Sequence, residues 1–372
     1  MAAVADTLES TRLLSVSAAI CVDGGAFDRF GRVLRHLAVG LIDQAVPLRL
    51  LSDDPRLGPL RLGPVRTLVH DRISWPAARR RIEKVVEALH HDAPTVVHAM
   101  SADSYRLALA LSDEFDADLL LEVASMSDCD AVQHLPPECH ADFMAISLPL
   151  VGVLETQLKI PPDRIHLVRP GVLVSRQGTC FSRPDRRAAL LCTSPLERHS
   201  GVHLLVEALA LLQKKGCELM SFLLGRGRLE SSLRRLVRQR SLSGAITFAY
   251  PLGDVGHAMH SADIFVRPSA DTAFAVDVLQ AMGAGMAVVT FPNRLFDYLR
   301  DGETAVFCGK HSAESIAEAI EGLLVDRTEA RQLAARAQDE VRAHHAVSAM
   351  AEGTAAVYRQ LALARATFSI RE

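Results

Sequence analysis

Short apolar runs of strand-forming residues alternate with helix-length segments along almost the whole chain, and this alternation limits the fold more than any other feature. In the first half, the runs cover residues 15–22, 46–51, 95–98, 118–123 and 143–147. Strands that are apolar throughout are typical of parallel sheets covered by helices on both faces. The pattern therefore predicts a doubly wound α/β sheet.

A break in this pattern divides the chain. Pro161 and Pro162 are followed by Arg169-Pro170-Gly171. The alternation then restarts, with apolar runs at 188–192, 220–224, 245–249, 263–267, 287–290 and 305–308. A length of 372 residues suits two domains of this kind. We predict a first domain over residues 1–169 and a second from residue 170, with ligands at the carboxyl ends of their strands.

The charge balance argues against partners that are recognised by charge alone. Lys and Arg together number 41, Asp and Glu number 44, and the net charge is −3. Such a chain has no overall attraction to nucleic acid. Arginine runs at 79–81 and 234–240 fall in helical patterns beside glutamates, which favours solvated helix faces. The second run is also compatible with contact between this helix and a membrane surface.

The cysteine pattern is typical of a reducing compartment. The seven cysteines are scattered, odd in number and without any C-x-x-C spacing. One group (Cys129, His134, Cys139 and His140) is close in sequence, but its spacing matches no familiar zinc site, so we predict no metal. No targeting segment or membrane-spanning apolar stretch is evident, which favours a cytoplasmic location.

Several short motifs follow one another in a specific order. They are Asp23-Gly24-Gly25, Val96-Val97-His98-Ala99, Pro170-Gly171-Val172, Leu224-Gly225-Arg226-Gly227, the segment SADIFVRPS at 261–269, the segment AMGAGMAVV at 281–289, and Asp301-Gly302-Glu303-Thr304. In this order they resemble the GT-B-fold glycosyltransferases of family 4. The resemblance implies two Rossmann-like domains facing a central cleft, with a nucleotide-sugar domain over residues 170–352. It also implies a C-terminal helix over 353–372 that crosses back to the first domain.

The same resemblance implies a reaction. Family members transfer a glycosyl group from a nucleotide diphosphate sugar to an acceptor, with retention of configuration. The nucleotide sugar is then a substrate, and neither a cofactor nor a metal is expected, because protein cations and amides stabilise the leaving diphosphate. Sugar, lipid and protein acceptors all stay open, as does a protein partner if the chain is inactive.

Five positions depart from the family's pattern. Where family members have a cation pair for the diphosphate, this chain has Pro195 and Ser200. Thr272 and Gln280 stand in place of two glutamates, and Ala124 stands in place of a histidine of the first domain. Because all five changes fall on one site, they predict altered donor chemistry or none.

Other residues are candidates for donor binding. They are Gly24, Gly25, Arg226, Arg267, Ser269, Asp271, Phe274, Ala275 and Gln280, with His98 as a candidate cleft histidine. We hypothesise that Arg226 and Arg267 form a relocated site for phosphate or carboxylate, with solvated surface arginines as the alternative. For Gly24 and Gly25, the alternative interpretation is a turn that serves only the connection from strand to helix. For His98, the alternative interpretation is a histidine of the core or the cleft wall without a functional role.

Two functions therefore stay open. One is a divergent glycosyltransferase, and the other is a catalytically inactive protein of the same fold that binds an active partner or an acceptor. Binding of a nucleotide diphosphate distinguishes them, because a ligand of the native state raises the melting temperature. A phosphorylase or epimerase is a third interpretation, for which the sequence offers neither a cofactor lysine nor a clear acid–base pair.

Overall fold

The chain forms two compact units. The computed structural model describes residues 16–58, 63–74, 76–183, 185–250, 256–271 and 274–369. The first unit lies within Met1–Gly171 and Val347–Glu372, and the second is Val172–Ala346. Each unit is built on its own parallel sheet, as the alternation of apolar runs and helices predicts.

The first unit contains a seven-stranded parallel sheet with the strand order β3-β2-β1-β4-β5-β6-β7. Its strands are β1 (Ala18–Val22), β2 (Leu48–Ser52), β3 (Arg66–Val69), β4 (Val96–Ala99), β5 (Asp118–Val123), β6 (Ala141–Ala145) and β7 (Ile165–Leu167). Its helices before the second unit are α1 (Gly24–Asp43), α2 (Ala78–Leu89), α3 (Ala102–Phe115), α4 (Met126–Gln133) and α5 (Leu148–Thr156). The interior strand β1 is buried at every residue, which is why its sequence is apolar throughout.

The second unit contains a six-stranded parallel sheet with the order β10-β9-β8-β11-β12-β13. Its strands are β8 (Ala188–Cys192), β9 (Leu219–Leu224), β10 (Ile246–Ala249), β11 (Ile264–Val266), β12 (Ala287–Thr290) and β13 (Val306–Phe307). Its helices are α6 (Val202–Lys214), α7 (Glu230–Gln239), α8 (Gly256–Met259), α9 (Val276–Ala284), α10 (Ala313–Val325) and α11 (Arg327–His344). Leu205 of α6, Val289 of β12 and Ile316 of α10 belong to one apolar core.

The last helix, α12 (Val347–Ser369), returns to the first unit and packs against α1. It begins at Val347, directly after Ala346, which forms an isolated backbone bridge with Val172 of the second unit. The two helices touch at Gly40, where an added Cβ would overlap the Cβ of Ala351. A glycine at this position therefore permits the close approach of α12.

We expect the replacement Gly40→Ala to lower the free energy of unfolding by roughly 1–2 kcal/mol, because the new methyl group forces α1 and α12 apart. The matched control is Gly152→Ala in α5, where nothing lies within 4 Å of the added Cβ. There the better helix propensity of alanine should raise stability by about 0.5–1 kcal/mol. Urea unfolding measures the change in the free energy of unfolding for both variants, which should fall for Gly40→Ala and rise for Gly152→Ala. Changes of the same sign would contradict the close packing of α1 and α12.

Within the described ranges, no helix combines the length and the apolar character needed to cross a bilayer. Over the same residues, no group of three or more His, Cys, Asp and Glu side chains is arranged to hold a metal ion. In the sequence cluster considered above, Cys129 is buried and the His134 ring contacts the carbonyl oxygen of Asp130.

Candidate functional site

The carboxyl ends of three adjacent strands bring sequence motifs of the second unit to one edge of its sheet. Strands β9, β8 and β11 are neighbours, so the loops that follow them share this edge. Two backbone hydrogen bonds join the first two loops, from the Leu196 amide to Arg226 and from the Leu229 amide to Leu196, each 2.9 Å long. Ligands of doubly wound sheets bind at this kind of edge.

Glycines permit the contact between these loops. An added Cβ on Gly225 would overlap the carbonyl oxygen of Ser194, and one on Gly227 would overlap the backbone of Leu196. Gly201, at the start of α6, has a φ of +70°, and its added Cβ would overlap the carbonyl oxygen of Pro268. The three glycines therefore hold the loops after β8, β9 and β11 against one another.

The two positions that the resemblance assigns to phosphate-binding cations carry no charge. Pro195 is exposed, and Ser200 is buried with its hydroxyl donating to the carbonyl oxygen of Glu197 at 2.7 Å. Arg198 and His199 lie between them with exposed side chains. The loop after β8 therefore presents the charge of Arg198, and none at Pro195 or Ser200.

Arg267 lies in an ion-pair cluster at the end of β11. Its side chain is only 16% exposed, and its guanidinium is 2.7 Å from Asp271 and 3.6 Å from Asp277. Thr193 donates to Asp277 at 2.6 Å, and the Ser269 hydroxyl donates to Asp271. Burial opposes the charge of Arg267, but Asp277 and Asp271 together raise its pKa above the usual value.

The Arg267 cluster has a net negative charge, because one guanidinium faces two carboxylates. Arg267 is therefore not a solvated surface arginine, and its charge is already neutralised within the unit. A second phosphate-binding role for it requires the carboxylates to move away. This geometry weighs against Arg267 as half of a relocated phosphate site.

A small cavity of about 10 Å³ lies beside this cluster and has room for about one water molecule. Arg267, Ser269, Asp271 and Tyr298 are among its lining residues. The Tyr298 hydroxyl is buried with no hydrogen-bond partner among the described residues, and burial raises its pKa. The cavity is too small for a sugar ring.

Arg226 is exposed in the loop after β9. Its guanidinium lies 4.8 Å from the centre of the Tyr250 ring, a cation–π contact. The neighbouring Arg228 is also exposed, and its amide donates to the Glu197 carboxylate at 2.9 Å. These two side chains present positive charge at the same edge as the loops after β8 and β11.

The remaining donor-site candidates surround the start of α9. Phe274 is buried with its ring edge-on to Phe296 at 5.6 Å, and Ala275 is the residue before the first helical turn. Gln280 lies in α9 with a partly buried side chain. Thr272 lies outside the described residues.

The first unit has a cavity of about 510 Å³ at the carboxyl ends of β1 and β2, which Gly24, Gly25 and Asp53 help to line. The Gly24 amide donates to Asp53 at 2.8 Å, and the Asp23 carboxylate accepts from the Ala26 amide at 2.9 Å. The Gly24 amide is therefore bound within the unit, which weighs against its predicted contact with a phosphate.

The candidate cleft histidine belongs to the core of the first unit. His98 has no exposed surface, and its Nδ1 lies 2.8 Å from the Tyr358 hydroxyl of α12. Its Nε2 lies 3.4 Å from the Glu122 carboxylate. Ala124, where the resemblance implies a histidine in the family, is buried and donates its amide N–H to the Asp128 carboxylate at 3.1 Å. His98 therefore supports the docking of α12 onto the sheet.

Glu122 makes the stability of the first unit depend on pH. Burial raises the pKa of its carboxyl group, with His98 and Arg29 partly offsetting the effect and Asp128 adding to it. A raised pKa means that the folded state binds more protons than the unfolded state, so stability falls as the pH rises from about 4.5 through the raised value. We expect Glu122→Gln to flatten this fall and to be the more stable protein at pH 8.

Urea unfolding between pH 4.5 and pH 8 measures this difference. Glu114→Gln, at an exposed position of α3, is the matched control and should leave the pH dependence of stability unchanged. Parallel curves for the wild type and Glu122→Gln would show that the Glu122 carboxyl group has the same pKa in both states.

Comparisons with known proteins bear on the second unit most directly. Residues 181–340 match the family model described as "Glycosyl transferases group 1". The lipopolysaccharide core biosynthesis glycosyltransferase LpsE of Rhizobium meliloti is 28% identical over 328 residues, which cover 85% of this chain and 90% of LpsE. A D-inositol 3-phosphate glycosyltransferase of Pseudarthrobacter chlorophenolicus is 29% identical over 179 residues, 44% of this chain. The chain thus matches only 43% of the length of that second relative.

Solved structures confirm the predicted GT-B fold class. Sucrose-phosphate synthase from Thermosynechococcus elongatus has a TM-score of 0.76 at 18% identity, covering 94% of this chain and all of that protein. A glycosyltransferase from Rickettsia africae has a TM-score of 0.74 at 14% identity, covering 93% of this chain and 98% of that one. Anabaena HepE, solved in complex with UDP, has a TM-score of 0.72 at 14% identity, covering 93% of this chain and all of HepE.

Proposed function

We propose that this chain is a retaining glycosyltransferase of the family 4 type that binds a nucleotide diphosphate sugar at the carboxyl edge of its second unit. The observation that carries the proposal is the convergence of the loops after β8, β9 and β11, held together by Gly201, Gly225 and Gly227. These loops fall within the residues that match the glycosyl transferase family. The free thiols of the seven cysteines are compatible with a reducing compartment such as the cytoplasm.

In this proposal the exposed arginines of the loops take the place of the missing cation pair. Arg226 and Arg228 meet the diphosphate, since both are exposed beside Gly227. Gln280 of α9 binds the ribose hydroxyls with its amide group. Arg267 has a positioning role, because it fixes Asp271 and Asp277 at the end of β11. The acceptor is a sugar, a lipid or a protein.

A second candidate function is a catalytically inactive protein of the same fold that binds a partner or an acceptor. The net negative charge of the Arg267 cluster favours it, since two carboxylates and one guanidinium disfavour a dianionic diphosphate nearby. The bound amide of Gly24 favours it as well. The two candidates differ in whether the second unit binds a nucleotide diphosphate.

The deciding experiment is the melting temperature of the full chain with and without millimolar UDP, GDP and their common sugar conjugates. The glycosyltransferase proposal expects one nucleotide to raise the melting temperature. It also expects Arg226→Gln to lower the affinity for that nucleotide about tenfold, since a charge-assisted hydrogen bond to phosphate is lost. Arg235→Gln, exposed in α7 away from the loops, is the matched control and should bind like the wild type.

If none of the nucleotides raises the melting temperature, the inactive candidate is favoured, and a pull-down for its partner would follow. A shift that Arg226→Gln leaves unchanged would keep nucleotide binding and overturn the role of Arg226. Release of free UDP or GDP from the sugar conjugate then reports whether the bound donor reacts.

A further inference from the structure

His311 lies in the loop after β13 and contacts the segments that follow β8 and β11. Its Nε2 is 3.2 Å from the carbonyl oxygen of Pro268, in the loop after β11. The same Nε2 lies 3.2 Å from the position of an added Cβ on Gly201, at the start of α6. Because β13 is parallel to its neighbour, the loop after it shares the carboxyl edge of the sheet. His311 therefore brings a titratable ring to the edge where the donor is proposed to bind.

The contacts of His311 fix its ring and leave one nitrogen for a ligand. A carbonyl oxygen only accepts hydrogen bonds, so Nε2 of His311 donates to Pro268. In the neutral ring the other nitrogen, Nδ1, then carries no proton and is an acceptor. The ring lies edge-on to Phe291, with the ring centres 5.0 Å apart, and the residue as a whole is exposed. Nδ1 therefore changes from an acceptor to a donor when the ring takes up a proton.

The charges that act on the start of α6 are mainly positive. His203 lies in the first turn of α6, and burial together with the positive charges of His311 and Arg198 lowers its pKa. Glu207 has the opposite effect on His203, but its carboxylate is already paired with Arg240 at 2.8 Å. His203 is therefore neutral at pH 7, and the exposed ring of His311 is the one that can take up a proton.

The other charged side chains of the adjoining segments do not reverse this balance. They are Glu197, His199, Asp271, Lys310 and Glu314. Each of the three carboxylates has a partner of its own, which is the Arg228 amide for Glu197, Arg267 for Asp271 and Ser312 for Glu314. Protonation of His311 therefore adds a positive charge to a region whose carboxylates are already paired.

We propose that protonated His311 binds the diphosphate of the nucleotide sugar through Nδ1, so that donor binding strengthens as the pH falls. This inference rests on the proposed function, which supplies the anionic ligand and its place at the carboxyl edge of the second unit. Ser200, the residue before Gly201, is buried and has no charge to offer. A protonated imidazole donates a charge-assisted hydrogen bond to a phosphate oxygen, whereas the neutral ring presents a lone pair to it.

Proton uptake sets the sign of the pH dependence. An anion binds the protonated ring more tightly, so binding takes up a proton, and affinity falls as the pH rises from about 5.5 to about 8. The expected fall is about tenfold, which corresponds to the loss of one hydrogen bond to a charged group. A nucleotide sugar is the suitable probe, because its two phosphates do not titrate in this range, whereas the terminal phosphate of UDP titrates near about pH 6.

Calorimetry on the full chain with UDP-glucose, UDP-N-acetylglucosamine and GDP-mannose tests the inference. We expect the conjugate that binds to do so about tenfold more tightly at pH 5.5 than at pH 8. Titrations in buffers of different ionisation enthalpy should show proton uptake near about pH 6.5. Equal affinity at both pH values would overturn the role of His311 and leave the proposed function standing. Binding of none of the conjugates at either pH would overturn both.

Variants assign the proton to one residue. His311→Gln keeps a donor for the Pro268 carbonyl but has no ring to protonate. It should bind the conjugate like the wild type at pH 8, about tenfold more weakly than the wild type at pH 5.5, and without proton uptake. The matched control is His260→Gln, because His260 is exposed and precedes β11, at the amino edge of the same unit. The control should keep the wild-type pH dependence. Proton uptake that persists in His311→Gln would overturn the proposal, since another group would then take up the proton.

Discussion

The replacement Gly201→Ala is expected to lower the free energy of unfolding by roughly 3 kcal/mol. Gly201 has a φ of +70°, a conformation that costs an alanine about 1–2 kcal/mol. Its added Cβ also overlaps the carbonyl oxygen of Pro268, and a backbone atom cannot turn aside as a flexible side chain does. Relieving that overlap moves the loop after β11 away from the start of α6, with a further loss of about 1–3 kcal/mol.

The matched control for this prediction is Gly216→Ala. Gly216 also has a positive φ, +81°, but nothing lies within 4 Å of its added Cβ. Only the conformational term remains there, so the expected loss is about 1 kcal/mol. Urea unfolding of both variants measures the difference, which isolates the contact with Pro268. Equal losses for the two variants would mean that the loops after β8 and β11 are not in close contact.

Arg267→Met is the prediction with the second largest effect, an expected loss of roughly 2–3 kcal/mol in the free energy of unfolding. Removing the guanidinium takes away the cation that pairs with both Asp271 and Asp277, and the arginine side chain is only 16% exposed. Loss of one partner from a buried ion pair is destabilising because the other charge stays desolvated. Methionine keeps most of the side-chain volume, so the loss reports on charge.

Arg300→Met provides the control. Arg300 also contacts two carboxylates, Glu303 at 2.7 Å and Glu340 at 2.8 Å, but its side chain is 41% exposed. Water screens those pairs, and the expected loss is at most about 1 kcal/mol. Chemical denaturation of both variants measures whether Arg267→Met loses more stability than Arg300→Met. If Arg267→Met were no more destabilising than Arg300→Met, Arg267 would not hold the end of β11 in place.

Arg267→Met also bears on the proposed function. Without the guanidinium, the cluster carries two negative charges in place of one. A nucleotide diphosphate at the same edge should then bind more weakly than in the wild type, and the weakening should shrink as the salt concentration rises. Binding of UDP or GDP at low and high salt measures this change. Unchanged affinity would place the diphosphate away from Asp271 and Asp277.

The predicted strands correspond closely to those of the structure where strands are buried. The predictions at 118–123, 188–192 and 287–290 match β5, β8 and β12 residue for residue. Two strands, β3 and β7, were not predicted at all. Both lie at an edge of the first sheet, pair with one neighbour only and are partly or largely exposed. Edge strands need no apolar run, and so they leave no such signal in a sequence.

The candidate site was only partly predictable. The resemblance assigns Pro195, Ser200 and Ala124 to positions of the family's donor-site residues, because a motif fixes a residue's position along a strand or loop, and this assignment stays a prediction. The sequence did not reveal that Asp53 holds the amide of Gly24, since the two residues are 29 positions apart.

The sequence by itself determined the α/β architecture, the division into two units and the order of the motifs, because hydrophobic periodicity and turn residues act over a few positions along the chain. Only the tertiary structure decided the chemical state of the candidate residues. Arg267 is neutralised by Asp271 and Asp277, and His98 is buried under Tyr358, 260 positions away. Charge and hydrogen bonding depend on which groups meet in space, and folding brings those groups together from distant parts of the chain.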